Sequence, residues 1–231
     1  MIKKQRIIII LFITLFLVAY IYAIKNTQSN YQQKKPVGIT KNIISVNQKT
    51  VTFGQIIKSQ TPSMLSQRVC NFNPSVCTIS NALSHDGMLT YRFYRMFTSV
   101  ILYESGNFNF HKNMNLNYVM GYPQINTRIW TLHKIHKMGF NINSLHELIT
   151  DPIVAILVSE TILWNNISVA YKINPNENAI LDYASSYYGV NMSYMYTHHL
   201  AHYYYNKHLL NKTMNKKFTL TKYQFNKYNF I

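Results

Sequence analysis

Acidic residues are scarce in this 231-residue chain, which holds seven Asp and Glu against 23 Lys and Arg, a formal charge of +16. So basic a balance calls for an anionic partner: nucleic acid, acidic lipid or an anionic wall polymer. The acids are Asp86, Glu104, Glu147, Asp151, Glu160, Glu177 and Asp182, and none follows Asp182. Cysteine is almost absent too, with only Cys70 and Cys77 present. Two thiols cannot make a metal site without further ligands, and only His85 lies nearby. In an exported chain the pair most simply forms a disulfide. Internal repeats and low-complexity blocks are also missing.

What is present begins with an export signal. Lys3, Lys4 and Arg6 precede an apolar run over residues 7–24, near the lower limit for a membrane-spanning helix. Ile21 sits where a cleavage site after Ala23 would want a small residue. An uncleaved signal anchor is therefore preferred to a cleaved signal peptide. The basic start orients the remainder outward. Residues 25–67 are polar, with Pro36, Gly38, Gly54 and Pro62, and read as a linker or loose extension containing at most a short strand at Val51-Thr52-Phe53.

The richest stretch is the apolar run from Gly87 to Tyr103, ending in Glu104-Ser105-Gly106. Ser84-His85-Asp86 offers N-cap candidates and Gly106 a stop. Met88, Tyr91, Met96, Val100 and Tyr103 recur at roughly three- and four-residue steps, which reads as a buried or half-buried helix. A carboxylate in the last turn faces the negative end of the helix dipole, and with partial burial this favours the protonated form that a general acid needs. Further on, Thr127–Leu132 reads as a helix continuing through His133 and His136. Asp151-Pro152 has the cap and first-position chemistry of a helix start. The residues from Ile153 to Trp164 are apolar nearly all round, so that helix should be central. Another helix is expected from about Glu177 to Tyr187.

Glu104-Ser105-Gly106, then Gly121-Tyr122-Pro123-Gln124-Ile125-Asn126, then Asp151-Pro152 resemble, in order and spacing, the soluble lytic transglycosylase family of the lysozyme superfamily. In that family Glu-Ser-Gly carries the catalytic acid, Gly-Leu-Met-Gln-Ile lines the glycan cleft, and Asp-Pro opens a helix. Ile156, Ser159 and Leu163 fall at the offsets of that helix's Ile, Gly and Leu. Ser186-Tyr187-Tyr188-Gly189 stands for the family's Ala-Tyr-Asn-x-Gly. Tyr122-Pro123 replaces Leu-Met, and Tyr188 stands where Asn is usual. The resemblance spans roughly residues 86–196.

It implies a lysozyme-like, mainly α fold; together with the readings from composition, the expected order is a signal anchor or signal peptide (1–24), a linker (25–67), the lysozyme-like helical domain (68–200) and a basic aromatic tail (201–231). It implies cleavage of peptidoglycan between N-acetylmuramic acid and N-acetylglucosamine, with Glu104 as the single catalytic acid and no cofactor. Ser105, Met120, Gly121, Tyr122, Gln124, Asn126, Tyr187 and Tyr188 would contact the glycan, and Tyr187 would position the Glu104 carboxyl.

The acid inventory agrees with one carboxylate. Asp86 and Asp151 read as caps and Glu160 as a mid-helix residue, so the two-carboxylate scheme of ordinary glycosidases finds no partner for Glu104. Three alternatives stand beside this reading. A non-catalytic peptidoglycan-binding scaffold of an envelope-spanning secretion or conjugation system would keep the cleft without needing a reactive Glu104. A membrane-anchored nucleic-acid binder accounts for the charge and leaves the ordered motifs unexplained, so nucleic acid is disfavoured. His198, His199 and His202 include an i, i+4 pair, and His133 and His136 lie close together. Neither set has an evident third ligand, and no metal is expected. The expected location is the cell envelope, anchored in the inner membrane facing the periplasm, or exported.

Overall fold

In the computed structural model the described residues are 49–106, 119–121, 123–173, 175, 201–221 and 224. All of them belong to one compact unit, residues 46–231; residues 1–45 form a second unit. The apolar run at 7–24, Tyr122, the expected helix from Glu177 to Tyr187 and the Ser186–Gly189 motif lie outside the described residues.

The described residues are mostly helical. A short strand β1 (Lys49–Thr52) runs directly into α1 (Phe53–Lys58). Thr52 caps that helix with a reciprocal box: its hydroxyl accepts from Gln55 N, and the Gln55 side chain accepts from Thr52 N. Thr61 caps α2 (Pro62–Phe72), with Pro62 in the first turn, where its missing N–H costs nothing. A 3₁₀ turn at Pro74–Val76 leads to α3 (Cys77–Ser84), and the Cys70–Cys77 disulfide clips the two helices at their junction.

The next helix, α4 (Gly87–Glu104), begins where Asp86 accepts from Leu89 N at 2.9 Å. Its apolar face includes Met96 and Val100 of the expected stripe and differs from it at the N-terminal end. Met88 and Tyr91 are 61% and 56% exposed, while Leu89, Phe93, Met96, Phe97, Val100 and Ile101 are buried. The buried set is itself a helical repeat, one position out of phase at the N-terminal end. α4 is rich enough in large side chains to offer two stripes, and only its neighbours select between them.

A two-stranded hairpin follows, β2 (Val119–Met120) against β3 (Ile125–Asn126). Residues 127–130 then form turns, with Ile129 and Trp130 amides donating to Asn126 O. The helix expected from Thr127 thus starts later, as α5 (Leu132–Lys137), because the carbonyl of Asn126 gathers those amides into a turn. A single turn, α6 (Glu147–Thr150), leads into α7 (Pro152–Ile173). The Asp151 carboxylate accepts from Ile153 and Val154 amides, as its cap position predicted.

The molecule is built around α7. Its length of 22 residues and its apolarity would let it cross a bilayer, but 89% of its most apolar window is buried inside the protein, which makes it a core helix. α1, α2, α3, α4 and α6 all pack on it. Trp164 donates its indole N–H to Ser80 Oγ at 2.9 Å and meets Phe93 edge to face at 4.8 Å. Such tilted aromatic pairs add about 0.5–1.5 kcal/mol to their area burial.

Residues 201–205 are helical, followed by α8 (Lys207–Met214) and β4 (Lys217–Leu220). β4 pairs antiparallel with β1, setting Val51 opposite Phe218. Phe218 and Leu220 are buried and Lys217 and Thr219 exposed, the alternation of a half-buried strand. Residues 49–67 and 201–221, expected as linker and tail, are therefore folded parts of the unit. Each is half of a structure whose other half lies at the far end of the chain.

Candidate functional site

Glu104 is the last residue of α4 and is half-buried. Ser105 behind it is fully buried, and its hydroxyl donates to Ile101 O at 2.5 Å while its amide donates to the same carbonyl at 3.0 Å. Gly106 has φ +54°, the left-handed conformation that ends helices at least cost for a residue without Cβ. Ser105 thus acts from inside the fold, fixing the helix end that carries Glu104, rather than from a cleft wall as the resemblance implied. The Tyr103 phenol is held above its usual range first by burial, then by the carboxylate of Glu104 and by Tyr203. The Tyr103 and Tyr203 rings meet at 6.4 Å, tilted by 66°. Sequence reasoning missed Tyr203, since nothing local ties residue 203 to a helix about a hundred residues earlier.

The second motif is the β2–β3 turn. Gly121 has φ +75°, and a Cβ built there would lie 2.4 Å from Leu148 O and 3.0 Å from Ala155 Cβ. The turn is therefore pressed against α6 and the first turn of α7, bringing the Gly-x-x-Gln-Ile and Asp-Pro motifs together in space. Gln124, with φ +57°, is the one non-glycine residue at positive φ among the described residues. Its backbone and side-chain N–H groups both donate to Gly121 O at 3.1 Å. The side-chain amide closes the turn on itself, and that bond helps hold a backbone conformation costing an L-residue about 1–2 kcal/mol. Non-glycine residues kept in such conformations gather at functional sites.

Met120 and Asn126 are half-buried on the two strands of the hairpin. The Asn126 side chain accepts from Arg128 N at 3.0 Å, shaping the next turn. Pro123 and Ile125 are buried beneath the hairpin. Glu104 with Ser105 forms one group, and Gly121 with Gln124 and Asp151 another, each seated on the core that α4 and α7 share. Tyr122, Tyr187 and Tyr188 lie outside the described residues.

A buried polar cluster gathers around Glu160 of α7, drawing on Gln60, Arg68 of α2 and Tyr94 of α4. Glu160 is fully buried, and burial pushes its carboxyl well above the usual range; a hydrogen bond from Gln60 and the charge of Arg68 oppose the shift without reversing it. Gln60 Nε2 donates to Glu160 Oε2 at 2.7 Å and to Leu157 O at 3.0 Å. Glu160 Oε1 and Arg68 Nε have no hydrogen-bond partner. Arg68 reaches Met138 O at 2.9 Å and lies over the Phe140 ring. The Tyr94 hydroxyl donates to Gln60 O, and its acidity is suppressed first by burial and then by Glu160. Glu160, buried in the middle of the core with its carboxyl pushed upward, holds Gln60 and the α1–α2 junction to α7.

Among the described residues no group of three or more His, Cys, Asp and Glu side chains could hold a metal ion. His136 pairs with Ile142 O at 2.7 Å, and His202 is exposed. The disulfide belongs to an oxidising compartment. Comparison with protein-family models, curated proteins and solved structures gives no match to this chain.

Proposed function

We propose that the chain is a peptidoglycan lytic transglycosylase acting through Glu104, anchored in the inner membrane by residues 7–24 and facing the periplasm. The observation that carries this reading is the Gly121–Gln124 turn, held at positive φ against the helix that Asp151 caps, downstream of a helix ending in Glu104 over a buried Ser105. These are the first three of the four motifs of the resemblance, in its order, around one core. The net charge of +16 suits an anionic polymer substrate.

In the proposed reaction the Glu104 carboxyl protonates the glycosidic oxygen as its bond to the anomeric carbon of N-acetylmuramic acid breaks. The acetamido oxygen of the same sugar bonds to that carbon. Glu104, now a carboxylate, takes the proton of the sugar's 6-hydroxyl. That oxygen displaces the acetamido oxygen and closes a 1,6-anhydro ring, with no water consumed. Proton transfer of this kind is worth roughly 10²–10⁴-fold.

The test uses residues 25–231, which contain the compact unit, incubated with sacculi as wild type and as Glu104→Gln. Anhydro-muropeptides from the wild type alone are expected by mass spectrometry. Hydrated reducing ends would replace this scheme with hydrolysis and a second catalytic group. Sedimentation with sacculi but no release by either protein would leave a wall-binding scaffold for a secretion or conjugation assembly.

A further inference from the structure

Five large hydrophobic side chains are exposed among the described residues; of these, Tyr91 and Tyr205 are linked through Arg95 and Tyr204, and Met88 stands one helical turn before Tyr91. This patch joins the N-terminal half of α4 to helical residues 201–205. Arg95 lies over the Tyr204 ring at 4.6 Å and the Tyr91 ring at 5.6 Å, and donates to Tyr204 O at 2.6 Å and to Tyr91 Oη at 3.3 Å. Tyr205 meets Tyr204 edge on at 5.1 Å and is 68% exposed. Arg92 and Arg95 both act electrostatically on the Tyr204 phenol. Lys207 and His208 continue the exposed surface at the start of α8. The acid nearest in sequence, Asp86, is turned into its own helix start, accepting from Leu89 N.

We propose that this patch is a second contact surface, docking the folded unit on an anionic lipid bilayer. Three observations choose the lipid. The side chains are those of a membrane interface: tyrosines with polar tips, a methionine, and cations that favour acidic headgroups. The Arg95 guanidinium lies over one face of Tyr91 and one face of Tyr204, so those faces are not open platforms for a pyranose ring. The charge of +16 complements an acidic leaflet. The proposal does not depend on the chemistry of Glu104. The anchor reading of residues 7–24 supplies only nearness to a bilayer.

The test again uses residues 25–231, which lack the apolar run. The protein is sedimented with vesicles of phosphatidylcholine alone and with vesicles enriched in phosphatidylglycerol, at low and high salt. Binding to the acidic vesicles only, weakened by salt, is expected. Lys207→Gln should weaken it about fivefold. Met88→Ser with Tyr91→Ser should weaken it on the order of tenfold through lost apolar insertion. Lys137→Gln on α5, which removes the same charge away from the patch, should change it little. Circular dichroism and thermal melting of each variant confirm folding.

Equal losses from Lys137→Gln and Lys207→Gln, with none from the Met88–Tyr91 pair, would overturn the proposal in favour of undirected charge attraction. Binding to both vesicle types alike, or to neither, would also overturn it. Salt-sensitive capture of duplex DNA in preference to acidic vesicles would assign the surface to nucleic acid instead.

Discussion

Replacing Gly121 by alanine tests how the β2–β3 turn is held. Two costs are added at one atom. The residue sits at φ +75°, where a side chain costs about 1–2 kcal/mol. The new Cβ also falls 2.4 Å from a backbone oxygen, Leu148 O, and 3.0 Å from the Ala155 methyl. Neither neighbour is the free end of a flexible chain, so the hairpin must lift away from α6 and α7, a rearrangement of the kind that costs about 1–3 kcal/mol in overpacked cores. Together these predict a loss of about 2–5 kcal/mol, or a melting point lower by roughly 4–20 °C for a unit of this size.

Gly87→Ala is the matched control. Its Cβ meets nothing within 4 Å and it stands at the first position of α4, so it should be neutral or slightly stabilising, by up to about 1 kcal/mol. Both variants would be unfolded in urea and followed by far-UV circular dichroism, with turnover of sacculi measured on the folded proteins. A Gly121→Ala protein as stable as Gly87→Ala would refute the account of the turn. Unchanged stability with lost turnover would instead give Gly121 a purely functional role.

Three further outcomes are expected. Replacing Cys70 and Cys77 together by serine reopens a loop of about eight residues and should cost about 2.5 kcal/mol in the chain-entropy model, read as a lower urea midpoint; equality with the reduced wild type checks the assignment. Glu160→Gln keeps the Gln60 contact and removes a titration. Because the folded-state acidity of Glu160 is suppressed, the wild type loses stability as pH climbs from the ordinary carboxylate range toward the raised folded value; the variant should lose less, and parallel melting-point profiles would contradict an upward-shifted buried carboxyl. Ser105→Ala, which deletes the bond to Ile101 O in a fully buried site, should cost about 1–2 kcal/mol and lower turnover through the helix end bearing Glu104; a stability loss without any change in rate would remove Ser105 from the site.

The candidate site was legible where its signals were local. Glu104-Ser105-Gly106 marks a helix end, and Gly121 is the residue a crowded left-handed turn requires. The inward direction of Ser105 and the self-closing side chain of Gln124 were not legible, because composition does not say which way a polar side chain faces. Tyr203 beside Tyr103 was invisible for a simpler reason: a ring contact across the chain leaves no mark in either neighbourhood.

The sequence alone determined the features set within one turn of helix or one short loop. The caps at Asp86 and Asp151, the closure of Cys70 with Cys77, and the burial of the all-apolar α7 needed nothing beyond neighbouring residues. Tertiary structure decided what depended on a distant partner. It chose Leu89 and Phe93 over Met88 and Tyr91 as the inner face of α4, because that face meets Trp164. It turned a polar linker and a basic tail into β1 and β4, since an edge strand has no stable ladder until its partner arrives from the other end of the chain. It also pushed the Glu160 carboxyl well above its usual range, since only packing on every side can remove the water that favours the charged form.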